Sequence, residues 1–268
     1  MPVEPIAEYR VKARNTSATS ENLIHDDATA RRYGFPGALV PGVVVYGYMS
    51  HAIVTALGPR WLERGTVTVR FTRPLLDAEE FQVTGAIMTR DASGVTASLR
   101  GATAATPECA TATATLPAGL PTPVNLAVYR VAPLPEERPP VSREHFQSLD
   151  ALGTPEILYE EPGAAAFLDK VSESLPIYRD AGVVHPAFYL DQANRAFDQN
   201  VRLGPWVHVS STVRHLGPAR VGDRLQTRGR VRSLFEKKGR EFAELDLVIL
   251  ANGRPVAHVL HTAIYKLA

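Results

Sequence analysis

Between Ser20 and Leu57 the chain gathers Ser20, Asn22, His25, Asp26 and Asp27, then a Gly/Pro elbow from Gly34 to Pro41, then an almost wholly apolar run to Leu57. His25 is the side chain of this group whose ordinary pKa lies near neutrality, so it can take up or release a proton at physiological pH. A polar cluster just before a helix start has a second use. The first N–H groups of a helix lack internal partners and carry partial positive charge, so they can hold a developing oxyanion. Gly42, at the predicted helix start, presents its N–H with no side chain in the way. The structural alternatives are a histidine capping the short helix that follows and a simple turn glycine. Asp26 and Asp27 suit the first turn of that short helix electrostatically.

Other chemistries find little support. His51, His208, His215, His258 and His261 fall in helix or strand readings without metal-ligand spacing, so no metal site is expected. Cys109, the only cysteine, can form neither an intrachain disulfide nor a thiolate cluster, and a reducing, cytoplasmic setting is expected. No Gly-x-Ser-x-Gly elbow and no phosphate-cradling glycine loop is present. Lys plus Arg (29) nearly balance Asp plus Glu (28), which argues against nucleic acid or an anionic membrane as partner. The N-terminus lacks the layout of a secretion signal, and the apolar stretch from Ala38 to Met49 is far short of the ~20 residues of a membrane span.

The elements that would position these residues occur twice. Residues 6–14 read as a strand, 22–32 as a short helix, and 43–57 as a helix buried on most sides, stopped by Gly58-Pro59. Thr- and Val-rich strands follow near 66–73, 80–90, 94–104 and 109–116. Seven prolines between Pro117 and Pro140 read as a stiff linker. Residues 144–180 give no clear pattern. A helix over 185–201, ended by Leu203-Gly204-Pro205, then precedes strands near 206–216, 223–235, 240–250 and 255–267. Val40 with Val184, Val69 with Val213, Arg70 with Arg214, Pro74 with Pro218, Gln82 with Gln226 and Gly85 with Gly229 share one offset of 144. A constant offset across a helix start and two strands indicates internal duplication. A helix apolar on nearly every side needs a surface on nearly every side, which a strongly curved sheet supplies. The expectation is an α+β double hot-dog: two curved antiparallel sheets, each wrapped around a long central helix. Its parts are an N-terminal hot-dog (1–120), a Pro-rich linker (121–143) and a C-terminal hot-dog (144–268), with clefts at the seam.

The run Asn22-Leu23-Ile24-His25-Asp26-Asp27, with Ala30 and then Gly34-Phe35-Pro36-Gly37-Ala38-Leu39-Val40-Pro41-Gly42, resembles the MaoC-like, or (R)-specific enoyl-CoA hydratase, family. His25 and Asn22 fall on that family's His and Asn. Ser20 stands where the family has a catalytic Asp, Leu23 where it has Pro, and Pro41 where it has the His of the helix start. The resemblance implies that His25 helps activate a water for addition to an enoyl thioester while a backbone amide near the helix start, here that of Gly42, polarises the carbonyl. Asn22 would orient the loop or the water. A serine hydroxyl is too weak an acid to replace a carboxylate base at neutral pH, so Ser20 would at most position the water.

No histidine stands 144 residues beyond His25. The second helix start, Val184-His185-Pro186-Ala187-Phe188-Tyr189-Leu190-Asp191, instead resembles a stretch of polyketide-synthase dehydratase domains, also double hot-dogs, whose second-half Asp works with a first-half His. The resemblance offers Asp191 as a carboxylate delivered across the seam to His25; a plain i,i+4 surface pair of Asp191 with Arg195 is the alternative. Together these likenesses imply a hydratase or dehydratase of 2-enoyl/3-hydroxyacyl thioesters of coenzyme A or a carrier protein. A thioesterase and a silent thioester binder are the other readings. The catalytic candidates are His25, Ser20, Asn22 and Asp191. Gly37, Val40, Gly42, Tyr46, His185 and Asn194 are the candidates for binding the substrate, with no cofactor beyond the thioester. Arg31, Arg32, Arg73, Arg220, Lys237 and Lys238 are available for phosphates. A homodimer of such double hot-dogs is compatible with this reading.

Overall fold

The computed structural model describes residues 4–268. The first half opens with β1 (Glu4–Pro5), β2 (Tyr9–Lys12) and the short helix α1 (Asp27–Arg32), then the central helix α2 (Gly42–Leu57) and a single turn, α3 (Trp61–Arg64). Strands β3 (Thr66–Phe71), β4 (Glu80–Asp91), β5 (Gly94–Ala102) and β6 (Ala110–Pro117) complete it. The second half comprises α4 (Arg143–Ser148), β7 (Glu156–Leu158), α5 (Glu161–Lys170), α6 (Pro176–Asp180) and the central helix α7 (Pro186–Asp198). It closes with β8 (Val207–His215), β9 (Arg224–Lys237), β10 (Arg240–Ala251) and β11 (Arg254–Lys266).

The two expected sheets are one. Strands run β1-β4-β5-β6-β3-β8-β11-β10-β9-β7, with β2 also on β4, in one open antiparallel sheet of 11 strands. The join is β3 against β8, and its register explains the repeat. Thr66 faces Arg214, Val67 faces Val213, Thr68 faces Thr212, Val69 faces Ser211 and Arg70 faces Ser210. Displaced by 144, each pair maps onto its mirror about Thr68 and Thr212, whose hydroxyls meet at 3.0 Å. This is the isologous contact of a two-fold dimer, written into one chain.

α2 carries Val43, Val44 and Val45 in its first turn, residues whose branched side chains are poor helix formers. Tertiary burial decides for the helix, because these three and nearly every residue to Val54 are buried. Gly58, at φ +79°, ends it in the left-handed region and donates its N–H to the Val54 carbonyl at 2.8 Å. α7 stops at Asp198 rather than at Leu203-Gly204-Pro205. Asn200 closes that end early: its side-chain amide donates to the Ala196 carbonyl at 2.8 Å and to Gly153 O at 3.0 Å.

The Pro-rich segment does more than connect. On β10, Leu245, Leu247 and Ile249 face the main core, while Val248 and Leu250 face outward and are covered by Val124, Leu126 and Tyr129 of the segment. Asp246, on that outer face, accepts from Tyr129 Oη (2.8 Å) and His258 Nε2 (2.8 Å) and from both Nε (3.2 Å) and Nη2 (3.0 Å) of Arg230. These bonds hold its carboxyl down at about 2, against the opposing effect of burial. No helix among the described residues is long and apolar enough to cross a membrane.

Candidate active site

A cavity of about 570 Å³ opens at the N-terminal end of α2. His25 stands on its wall, at the end of a single 3₁₀ turn, Leu23–His25, that Asn22 caps. The cap of α1 is Asp26, whose carboxylate accepts the Thr29 N–H at 2.9 Å, so His25 is not spent on capping. His25 Nδ1 lies 2.7 Å from the Leu39 carbonyl. A carbonyl can only accept, so Nδ1 carries the proton and Nε2 holds the lone pair. Burial lowers the His25 pKa, with the Leu39 bond opposing and the Lys170 charge assisting, which keeps the ring neutral and basic at Nε2.

Asn22 fastens this turn to the other half of the chain. Its Oδ1 accepts from Trp206 N (3.1 Å) and Ile24 N (3.3 Å), and its Nδ2 donates to Trp206 O (3.0 Å), leaving His25 Nε2 a longer contact of 3.5 Å. It thus orients the loop. Gly42, the first residue of α2, lines the same cavity, and its N–H finds no acceptor among the described residues. The glycine is needed for a packing reason as well. A Cβ there would lie 2.8 Å from His208 Nδ1 and 3.1 Å from Phe71 Cε2. Val40 lines the cavity and is pinned by its N–H to Leu75 O at 2.8 Å.

A second, smaller cavity of about 240 Å³ shares Asn22, His25, Pro41, Asn194 and Trp206 with the first. Ser20 and Asp191 lie on it. The Ser20 hydroxyl donates to the Asn22 carbonyl at 3.3 Å. Asp191 binds Lys170 at 2.9 Å and makes neither the expected pair with Arg195 nor a hydrogen bond to His25. Asn194 keeps its Oδ1 buried and unpartnered between the cavities.

Three expected binding residues lie elsewhere. Tyr46 is wholly buried inside α2, borders neither cavity, and burial pushes its phenol far up. Gly37 is buried in the elbow, where a Cβ would sit 3.2 Å from the Asp27 carboxylate that accepts the Ala38 N–H. His185 is fully buried, accepts the Ala187 N–H at its Nδ1, and donates from Nε2 to Glu173 at 3.2 Å. Glu173 also accepts His51 Nδ1–H at 2.7 Å, so this cluster staples α2 to the start of α7 behind the site.

The mouth of the large cavity carries Arg70, Arg73, Lys237, Lys238 and Arg240, none of them paired with a carboxylate among the described residues, and no Asp or Glu lines this cavity. Lys238 and Gly239, at φ +54° and +71°, form the two-residue turn that brings the β9–β10 hairpin over it. Of the six expected cations, Arg73, Lys237 and Lys238 reach the cavity and Arg31, Arg32 and Arg220 do not. Arg70 and Arg240 were not anticipated; adjacency to Lys237-Lys238 was the available signal for Arg240. His208 and His261, read from sequence only as histidines of helices or strands, converge on Ser211, whose hydroxyl meets His208 Nε2 at 2.8 Å and His261 Nδ1 at 3.1 Å. Burial keeps both rings neutral, with His261 lowered to about 3.

No family model matches the sequence, and no curated protein matches it. Solved structures do. A protein described as a MaoC-domain dehydratase from Chloroflexus aurantiacus superposes with TM-score 0.65 at 11% identity, over 100% of this chain and 95% of its own. A Mycobacterium tuberculosis protein with a double hot-dog fold gives 0.62 at 15%, over 97% and 96%. An acyl-ACP thioesterase from Bacteroides thetaiotaomicron gives 0.54 at 9%, over 96% and 97%. The chain is a double hot-dog protein. Its fold is of the MaoC-like kind, with both copies in one polypeptide.

Proposed function

We propose that this protein is a hydratase or dehydratase of 2-enoyl/3-hydroxyacyl thioesters. The observation that carries the reading is His25: with Nδ1–H committed to Leu39 and Nε2 left basic, its ring lines the same cavity as Gly42, whose N–H is free. In the hydration direction the thioester oxygen accepts from Gly42 N–H at the positive end of α2. His25 takes a proton from water as its oxygen bonds C3, and the imidazolium so formed gives that proton to C2 as the enolate closes, which returns the ring to its neutral form. The apolar wall, with Phe35, Leu39, Val45 and Phe71, suits the acyl chain. The unpaired cations at the mouth suit the phosphates of coenzyme A or of a carrier-protein arm. The thioester itself supplies the only non-protein group the reading needs.

A thioesterase is the second reading, favoured because no carboxylate hydrogen-bonds His25 and because thioesterases share the fold. Purified protein given crotonyl-CoA should consume the enoyl absorbance, and His25→Ala should slow this ~10²–10⁴-fold. Thiol release from a saturated acyl-CoA instead would establish the thioesterase. Thermal stabilisation by acyl-CoA without either turnover would make the protein a silent binder.

A further inference from the structure

The smaller cavity differs from the acyl chamber in character. Beyond the shared wall it is lined by charged groups, among them Glu21, Arg138, Lys170, Asp191, Arg195 and Asp198. α7 presents Asp191, Asn194, Arg195 and Asp198 to it, a spacing of i, i+3, i+4 and i+7 that puts all four on one helix face. At about 240 Å³ it has room for several waters at ~30 Å³ each.

Asp198 is the unusual member. It is the last residue of α7, where the helix dipole disfavours negative charge and a cation is the stabilising choice. The cation that reaches this end, Arg138, donates to the backbone carbonyl of Asp198 at 3.1 Å and to the Glu21 carboxylate at 2.9 Å. Lys170 is taken by Asp191. The Asp198 carboxylate itself makes no hydrogen bond and no ion pair with any described residue, although Arg138 and Arg195 line the same cavity.

We propose that this chamber is the proton path of the site, and that Asp198 exchanges a proton with His25 through water held between them. Only O–H and N–H bonds change: protonated Asp198 and neutral His25 become carboxylate and imidazolium, or the reverse, as protons hop along the water. Burial pushes the Asp198 carboxyl up to about 6, opposed by Arg138 and Arg195 and assisted by Asp191 and Glu21. Burial lowers His25, so the gap that ordinarily separates a carboxyl from an imidazole narrows from both sides and exchange between the two becomes less uphill. The inference rests on the hydratase reading for its use, since His25 must be neutral when water is activated and a ring protonated from solvent must first lose that proton.

The test is an NMR titration of the His25 ring nitrogens in the full, unliganded chain from about pH 4 to about pH 9. The wild type should show, besides the inflection of the ring itself, a second one near pH 6 from Asp198, lost in Asp198→Asn and in Asp198→Ser and kept, at somewhat lower pH, in Asp191→Asn. The acid limb of the pH–rate profile for crotonyl-CoA hydration should shift in the same two variants. A second inflection that survives in folded Asp198→Asn, or is missing from the wild type, overturns the proposal. An inflection present as expected in a chain that hydrates no 2-enoyl-CoA refutes the hydratase reading and leaves the proton exchange standing.

Discussion

Asn22→Ala should uncouple the His25 turn from the second half of the chain. The substitution removes the acceptor of Trp206 N–H and Ile24 N–H and the donor to Trp206 O, at 3.1, 3.3 and 3.0 Å. Ile24 and Trp206 are 1% and 6% exposed, so bulk water replaces these partners poorly, and only the two adjoining cavities can admit it. A buried polar group left unpaired costs about 1–3 kcal/mol, and partial rescue by cavity water brings three such groups to about 2–4 kcal/mol together. At ~2–4 °C per kcal/mol for a chain of this size, the melting temperature should fall by about 5–15 °C. Denaturant melts give the free energy, and turnover measured well below the melting point gives the catalytic effect. A turn displaced by ~1 Å should cost about 100-fold in rate. Asn22→Asp is the informative companion. It keeps the acceptor of both N–H groups but sets a carboxylate oxygen against Trp206 O and beside His25 Nε2, so the His25 pKa should rise. A loss below ~0.5 kcal/mol in Asn22→Ala, the range of an ordinary surface change, would refute the assignment of Asn22 as the staple between the halves.

Other outcomes follow from the same geometry. Gly42→Ala should destabilise the fold by ~1–3 kcal/mol, because the new methyl meets the rings of His208 and Phe71, and should cut turnover more than Gly163→Ala, which meets no atom within 4 Å; paired melts and rates check this. Ser20→Asp places a carboxylate on the smaller cavity that His25 also lines and should raise the hydration rate, read from steady-state kinetics. Burial lowers His215 and His261 to about 3, so between the ordinary value near 6.5 and that point the unfolded chain binds protons the folded chain refuses. Stability is therefore lost as pH falls through this window, by roughly 1 kcal/mol per pH unit for each ring. His215→Phe keeps an aromatic ring against Trp61, removes two unpartnered nitrogens and should flatten that dependence, seen as a smaller gap between denaturation midpoints at about pH 7 and about pH 5.

Much of the architecture was legible in one dimension because its causes are local or periodic. The all-round apolar run ending at Gly58 had to be a buried helix, and alternating Thr- and Val-rich segments had to be strands. The offset of 144 carried the duplication, and the structure gives it a physical basis: Thr68 and Thr212 sit at the centre of the β3–β8 pairing. His25, Asn22, Val40 and Gly42 were also legible, since one short segment delivers all four to the large cavity.

What the chain alone left open depended on which face or end of an element meets which other. Tyr46 and Gly42 lie on the same helix, one turn apart, yet only the helix end reaches the cavity. His185 occupies a helix start like that of Gly42, but a buried Glu173 claims it. The partners of Asp191, and the isolation of Asp198, were set by Lys170 and Arg138, residues 21 and 60 positions away. The sequence by itself determined a duplicated helix-and-sheet unit with a histidine beside a helix start. Only the tertiary structure decided that the two sheets fuse into one and which charges stand unpaired. Periodicity is written in neighbouring residues, whereas electrostatic pairing and access to a cavity are properties of distances that folding alone creates.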